Sequence, residues 1–228
     1  MHSFSIIIPV YKEKKIINDF IYHIKKRTVG IENEIIVVDG DKSGSTIHCI
    51  KDSSVIKLTS QKGRANQMNA GAFHAQKKTL FFLHADSLLP ENTFLSIIRV
   101  LKDPLIQAGA FDLCINSDNC LLKIIEKTAS LRSRITRIPY GDQGIFIRKK
   151  IFQKINGYSN LPIMEDIDLM QKLKRKKYKI KILNKKIQTS ARRWHEQGII
   201  FCSLRNIMIS SLFYIGHDAA KLKKLYEE

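Results

Sequence analysis

Acidic residues are scarce in this chain: 21 Asp and Glu stand against 39 Lys and Arg over 228 residues, a formal net charge of +18. Such an excess attracts phosphate, whether in nucleic acid, in a nucleotide or on an anionic lipid surface, and charge alone does not choose among them. Cysteine is sparse and scattered. Cys49, Cys114, Cys120 and Cys202 form no Cys-x-x-Cys pair, so neither a zinc site nor a disulfide framework is signalled, and a reducing cytoplasm fits. There is one Trp, and no helix-turn-helix, RNA-recognition or zinc motif, which argues against a specific nucleic-acid partner despite the charge. Gly-x-x-x-x-Gly-Lys-Ser/Thr and Gly-x-Gly-x-x-Gly are both missing, so ATP-hydrolysing and dinucleotide-binding classes lose support. No apolar run reaches the roughly 20 residues of a membrane-spanning helix. The longest, Ile199 to Ile215, contains Arg205 and Asn206; it reads either as a C-terminal helix packed on the domain or as a helix lying on a membrane. Phe4 to Val10 is only strand-length and runs into Lys12, Glu13, Lys14 and Lys15, unlike a signal peptide.

What is present is the composition of a folded domain: 44% hydrophobic and 26% charged residues exclude a disordered or fibrous chain. Phe4 to Val10 and Glu34 to Asp39 are β-rich runs flanking Ile16, Ile17, Phe20, Ile21 and Ile24 at helical spacing, a β-α-β unit. A strand over Val55 to Leu58, a helix over Ala65 to Gln76 and a continuous apolar strand over Thr79 to His84 continue the alternation. Continuous apolar runs alternating with helices predict an open, mostly parallel sheet covered on both faces. The second half predicts a helix from Pro90 to about Lys102, a strand over Ala108 to Ile115, a long helix over Cys120 to Arg137, a strand over Gly144 to Ile147 and a helix from Asp166. With no internal repeat or linker, the expectation is one domain over 1–228, a nucleotide-binding half at about 1–115 and an acceptor half at about 116–228.

Ligands of such sheets gather at the carboxyl ends of the strands, so polar residues there carry most weight. Asp39 opens a Gly- and Ser-rich loop and offers a carboxylate to a ribose hydroxyl or base N–H, or else organises an ordinary turn. His84 and Asp86 stand at i and i+2, two metal-capable side chains facing the same way where a buried strand meets solvent, and a carboxylate there suits Mg²⁺ or Mn²⁺ on phosphate oxygens. Lys62 and Arg64 put cations at a helix start, a natural place for an anion. Glu165, Asp166 and Asp168 crowd three carboxylates at another helix start, fitting either a helix dipole or a general base whose pKa is raised by its neighbours. From Lys172 to Arg193 there are eleven Lys or Arg and no acid, a solvated face or a wall that attracts anions near the substrate.

In this order, Lys62-Gly63-Arg64-Ala65-Asn66-Gln67-Met68-Asn69-Ala70-Gly71, His84-Ala85-Asp86, Pro139-Tyr140-Gly141-Asp142-Gln143-Gly144, Met164-Glu165-Asp166-Ile167-Asp168-Leu169 and Thr189-Ser190-Ala191-Arg192-Arg193-Trp194 resemble the inverting glycosyltransferases of family 2, which have the GT-A fold. The wording is similar to a bacterial subgroup labelled rSAM/selenodomain-associated transferase 2. The resemblance implies that Pro9, Tyr11, Glu13 and Asp39 line the pocket for base and ribose. It also implies that Asp86 reaches a Mg²⁺ or Mn²⁺ on the donor diphosphate, with His84 replacing the first Asp of the family's Asp-x-Asp-type motif. Glu165 and Asp166 match the family's Glu-Asp pair, which makes Asp166 the general base. Asp142, Gln143, Arg192, Arg193 and Trp194 become candidates for contacting acceptor or diphosphate. Arg192-Arg193-Trp194 resembles the Gln-x-x-Arg-Trp motif of processive members, but Ser190 holds the Gln position, so chain polymerisation is not expected. The implied reaction moves a sugar from a nucleoside-diphosphate sugar to an acceptor hydroxyl, with a small molecule or a lipid as acceptor and peripheral contact with the inner face of the cell membrane. A nucleotidyltransferase, releasing pyrophosphate, is the competing reading.

Overall fold

Burial from both sides decides the position of the first strand, and every residue of β1 (Phe4–Val10) is buried. The structure is a computed structural model describing residues 2–227. After β1 the chain forms α1 (Ile17–Arg27), β2 (Asn33–Asp39), β3 (Ile56–Thr59), α2 (Arg64–His74), β4 (Thr79–Phe82) and α3 (Thr93–Leu101). It continues through β5 (Ile106–Asn116), α4 (Cys120–Thr136), β6 (Ile145–Arg148), α5 (Lys149–Lys154) and α6 (Glu165–Arg175). Then come β7 (Lys179–Ser190), α7 (Arg192–Gln197), α8 (Ile199–Tyr214) and α9 (Ala219–Glu227).

The seven strands lie in the order β3-β2-β1-β4-β6-β5-β7. β6 is antiparallel to both β4 and β5, whereas β1 with β2 and β4, β2 with β3, and β5 with β7 are parallel. Alternate residues of β1 serve opposite layers. Phe4, Ile6, Ile8 and Val10 pack with Ile17, Phe20 and Ile24 of α1 and Phe94 and Ile97 of α3. Ile7 faces the other way, toward Ala65 and Met68 of α2 and Ile167 and Met170 of α6. Each fully buried Ile or Phe stabilises the fold by roughly 1.5–3 kcal/mol, so the register of this strand is strongly fixed. The expected parallel sheet and C-terminal helices are therefore present.

Two expectations are corrected. The basic stretch Lys172 to Arg193, for which the sequence reading has no strand, contains the longest one, Lys179–Ser190: Ile180, Ile182, Ile187 and Thr189 are buried while Lys179 and Lys181 are exposed, so its lysines form a solvated face. β7 is the sheet's edge, where lysines discourage pairing with another chain. Opposite Phe111 and Asp112 the register jumps from Leu183 to Lys186, so Asn184 and Lys185 bulge out. The second correction concerns β4, which ends at Phe82, so His84 and Asp86 lie on a turn closed by Ser87 N–H donating to the His84 carbonyl at 3.1 Å. They do not share a strand face: Asp86 is exposed and His84 only partly so.

A third, smaller core joins Leu113, Ile115, Leu122 and Ala191 beneath Trp194 and Ile199, and it fastens α4, α7 and α8 to the far end of β5 and β7. Gly109 lies in β5, between β6 and β7, where a Cβ would collide with the Lys181 carbonyl and the Phe146 ring. Gly109→Ala is expected to cost about 1–3 kcal/mol, as overpacked cores do, measured as a lowered urea midpoint at unchanged slope.

Candidate active site

Strand order locates the cleft. Counting from β3 the sheet runs back to β1 and then resumes with β4, a switch point at which ligands settle outside the carboxyl ends. Because β6 runs antiparallel with Ile145 opposite Phe82, the segment entering β6 arrives at the same edge. α6, seated on the sheet through Ile167, Leu169, Met170 and Leu173, brings its first turn there too. Pro9, His84, Gly141, Tyr158, Glu165 and Asp166 consequently line one pocket.

Asp166 is held at both oxygens. Oδ2 accepts from Gly141 N–H at 2.6 Å and Oδ1 from Ile167 N–H at 2.8 Å. Residue 141 must be small, because a Cβ there would stand 2.8 Å from His84 Nε2. The turn presenting Gly141 is built by Gln143, whose Oε1 accepts from Ser133 Oγ at 2.7 Å and Tyr140 N–H at 3.0 Å. Its Nε2 donates to the Phe111 carbonyl at 2.8 Å. Gln143 is thus buried with its amide engaged inside the protein, and it positions the loop. The acidic trio divides: Asp168 turns away to Lys172 and Arg175, at 3.4 and 3.7 Å.

The acids that stay crowd one another. Burial first, then Asp166, push Glu165 up to about 7 against the pull of Arg64, whose Nη1 lies 4.0 Å from Glu165 Oε1. Burial likewise lifts Asp142 to about 6, with Asp166 and Asp86 adding to the effect and Arg132 and Arg64 opposing it. Burial, then Arg64 and Arg193, push His84 down to about 3, so its imidazole is neutral at pH 7. Among the described residues no three His, Cys, Asp or Glu side chains form a ready metal cage. A hard divalent ion on a diphosphate needs only one or two protein carboxylates, however, and the exposed Asp86 near Asp142 offers that donor set.

The remaining expected residues sit as follows. Pro9 is in the pocket lining, and beyond it Lys62 Nζ stands 4.3 Å from the centroid of the half-exposed Tyr11 ring. Glu13 donates its N–H to Thr46 Oγ1 at 3.1 Å. Asp39 is fully buried, and its carboxylate accepts N–H from Asp41 at 2.9 Å, Thr46 at 2.7 Å and Ile47 at 3.3 Å. It therefore shapes the loop that follows β2. Gln67 clamps β1 to β2 by donating to the Val10 and Val38 carbonyls at 2.7 and 2.8 Å. Asn69 pins the Tyr158 backbone through bonds of 2.9 and 3.0 Å. Arg192 and Arg193 are exposed on α7, with Arg193 bound to the Tyr226 hydroxyl, and the Trp194 indole N–H is buried without a partner among the described residues.

Four further residues border the cleft that sequence reasoning did not single out. Tyr158 is buried beside Glu165 and Asp166, which with burial raise its hydroxyl pKa. Arg132 stacks 3.3 Å over the Tyr140 ring. Tyr214, at the end of α8, has its hydroxyl pushed up to about 12 by burial, with Tyr140 and Asp166 contributing. Tyr140 lay within a quoted motif; the other three carry no local signal, since only the tertiary fold brings them here.

Glu165 makes stability depend on pH. With its folded-state pKa above the ordinary 4.5, the native protein keeps a proton that the unfolded chain releases, and stability falls as pH rises from about 4.5 to about 7. Glu165→Gln is expected to raise the melting temperature at pH 8 by roughly 2–8 °C and to change little at pH 4.5, measured by differential scanning fluorimetry.

Comparison with known proteins follows this geometry. The model of the family "Glycosyl transferase family 2" matches residues 5–155. A search of curated proteins finds no match. Among solved structures, the mannosyltransferase PcManGT from Pyrobaculum calidifontis, in complex with GDP-Man and Mn²⁺, superposes with a TM-score of 0.71 at 15% identity, covering 97% of this chain and 67% of that one. Glucosyl-3-phosphoglycerate synthase from Mycobacterium tuberculosis, in complex with Mn²⁺, UDP and phosphoglyceric acid, gives 0.65 at 15% identity, over 94% and 79%. S. aureus TarS 1-349 gives 0.62 at 16% identity, over 99% and 69%. The family match spans more than half of the chain: the chain belongs to glycosyl transferase family 2 and is a glycosyltransferase.

Proposed function

We propose that this glycosyltransferase moves a sugar from a nucleoside-diphosphate sugar to an acceptor hydroxyl in a single inverting displacement, with Asp166 as general base. The observation that carries the proposal is the Asp166 carboxylate, fixed by Gly141 N–H at 2.6 Å in the cleft at the switch of strand order. A second lone pair on each oxygen is left to receive a proton. Asp166 takes the acceptor's proton as the acceptor oxygen bonds to the anomeric carbon; the bond from that carbon to the diphosphate oxygen breaks, and the nucleoside diphosphate departs. A lone displacement from the opposite side inverts the anomeric centre and leaves no covalent enzyme intermediate.

The nucleotide-binding half falls in residues 1–115, where Pro9, Tyr11, Glu13 and the loop shaped by Asp39 form the strand ends nearest the base and ribose. Lys62 and Arg64 meet the diphosphate at the start of α2, where the helix dipole favours an anion. Asp86, with Asp142 beside it, would hold Mg²⁺ or Mn²⁺, which when bound neutralises charge on the leaving group. The GDP-Man, UDP and Mn²⁺ in two structural neighbours support a nucleotide donor and a divalent ion. Residues 116–228 supply the acceptor side, with Arg132, Tyr140 and Tyr214 along one wall and Arg192, Arg193 and Trp194 on the approach.

The test is nucleoside diphosphate release from a panel of nucleotide sugars with Mn²⁺. Asp166→Asn is expected to slow transfer by about 10²–10⁴-fold while nucleotide affinity stays within about twofold, the range a positioned general base contributes. Equal loss of both would make the residue structural. Asp86→Ala is expected to remove the Mn²⁺-dependent part of the thermal shift given by nucleoside diphosphates, and a shift equal to that of the wild type with and without EDTA would refute the metal role.

A further inference from the structure

We propose that the outer face of α8 docks on an anionic lipid bilayer, so that the catalytic cleft works at a membrane surface. α8 is inverted relative to a helix facing water. Its one charged residue, Arg205, points inward, 7% exposed, with Nη2 donating to Gln197 Oε1 at 2.6 Å and the guanidinium 4.5 Å from the Tyr226 ring centroid. Ile200, Phe201, Leu204, Ile207, Met208 and Ile215, by contrast, are 47–74% exposed. At about 100° per residue these positions fall within one stripe, opposite the buried Cys202 and Ile209.

Single exposed apolar side chains are ordinary, but a continuous stripe is not. α4 packs beside α8 and adds Leu121, Ile124, Leu131 and Ile135, 48–73% exposed and spaced along one side of that helix. No helix among the described residues is long and apolar enough to cross a membrane, so α8 would lie in the plane of the interface. Charge selects the kind of surface. Arg192 and Arg193 precede α8, and Lys221, Lys223 and Lys224 follow it, five cations against Glu196, Asp218, Glu227 and Glu228, on a chain of net charge +18. Asp218 is already engaged in capping Ala220 N–H at 3.0 Å. Apolar insertion flanked by cations is the chemistry of binding to acidic headgroups.

The same helix reaches the active site. Phe213, near its end, packs against the same core layer as Tyr140, and Tyr214, its last residue, lies close enough to Tyr140 and Asp166 to feel their charge. A bilayer under α8 would therefore lie close to the acceptor wall, and an acceptor hydroxyl carried by a lipid would need no extraction into water. Docking stands apart from the proposed reaction, because binding to vesicles requires neither donor nor acceptor.

The full chain is mixed with phosphatidylcholine vesicles with or without phosphatidylglycerol and sedimented at low and high salt. Co-sedimentation with the anionic vesicles at low salt is expected, falling with salt toward the weaker binding given by neutral vesicles. Leu204→Glu with Ile207→Glu should weaken partitioning by at least about tenfold without lowering the melting temperature. Lys221→Glu with Lys224→Glu should weaken only the salt-sensitive part. Failure to sediment with anionic vesicles, or binding unchanged by the Leu204 and Ile207 pair, would overturn the proposal. So would a dimer in analytical ultracentrifugation that this pair disperses while lipid binding is absent, for a second copy would then cover the face.

Discussion

The N–H of Gly141 meets the carboxylate of Asp166 at 2.6 Å, and the placement of the proposed general base depends on their meeting. Three independent parts of the chain must agree for it to happen. β6 must run against its neighbours so that its entrance reaches the end of β4. α6 must sit on the second layer through its buried Ile and Leu residues. Residue 141 must lack a side chain, since the His84 ring fills that space. Gln143 then fixes the turn from beneath, so the bond is pre-set rather than assembled on binding.

The charge pattern follows from the same convergence. A chain with +18 formal charge concentrates Asp86, Asp142, Glu165 and Asp166 in one cleft, and burial lifts two of them toward neutrality. Arg64, Arg132 and Arg193 reach the cleft from α2, α4 and α7, as their effects on Glu165, Asp142 and His84 record. Crowded acids ringed by cations suit a transfer whose leaving group is a metal-bound diphosphate and whose nucleophile must lose a proton. The protein tolerates the crowding because the pocket is built on sheet and helix ends, whose geometry is fixed by the two core layers.

Much of this was legible in the sequence where the local pattern and the final environment agree. β1, β2 and α4 lie within a residue or so of their expected bounds, because their apolar runs are long and their ends are marked. Asp86 stood just past a strand, where the open-sheet rule points, and Glu165 and Asp166 at a helix start, whereas Asp142 was named only through the family resemblance. β7 was hidden because lysines at alternate positions on an exposed edge look like a charged loop when counted for charge rather than for period. Asp168 sat with Glu165 and Asp166 in sequence, but the helical turn carries it to Lys172 and Arg175 instead. Gln143 and Asp39 were legible as polar residues at the right places, but which way each side chain would turn depended on unsatisfied backbone groups nearby, such as the Phe111 carbonyl and the Thr46 N–H. Arg132, Tyr158 and Tyr214 had no signal at all, since their role comes only from neighbours distant in sequence.

The most direct measurement is a crystal structure of the protein with an intact nucleoside-diphosphate sugar and Mn²⁺. The account predicts the metal-bound diphosphate against Asp86, with the Asp166 carboxylate on the side of the anomeric carbon opposite the bond to be broken. A donor bound with its anomeric carbon turned away from Asp166, or seated outside the cleft where β1 and β4 part, would contradict it.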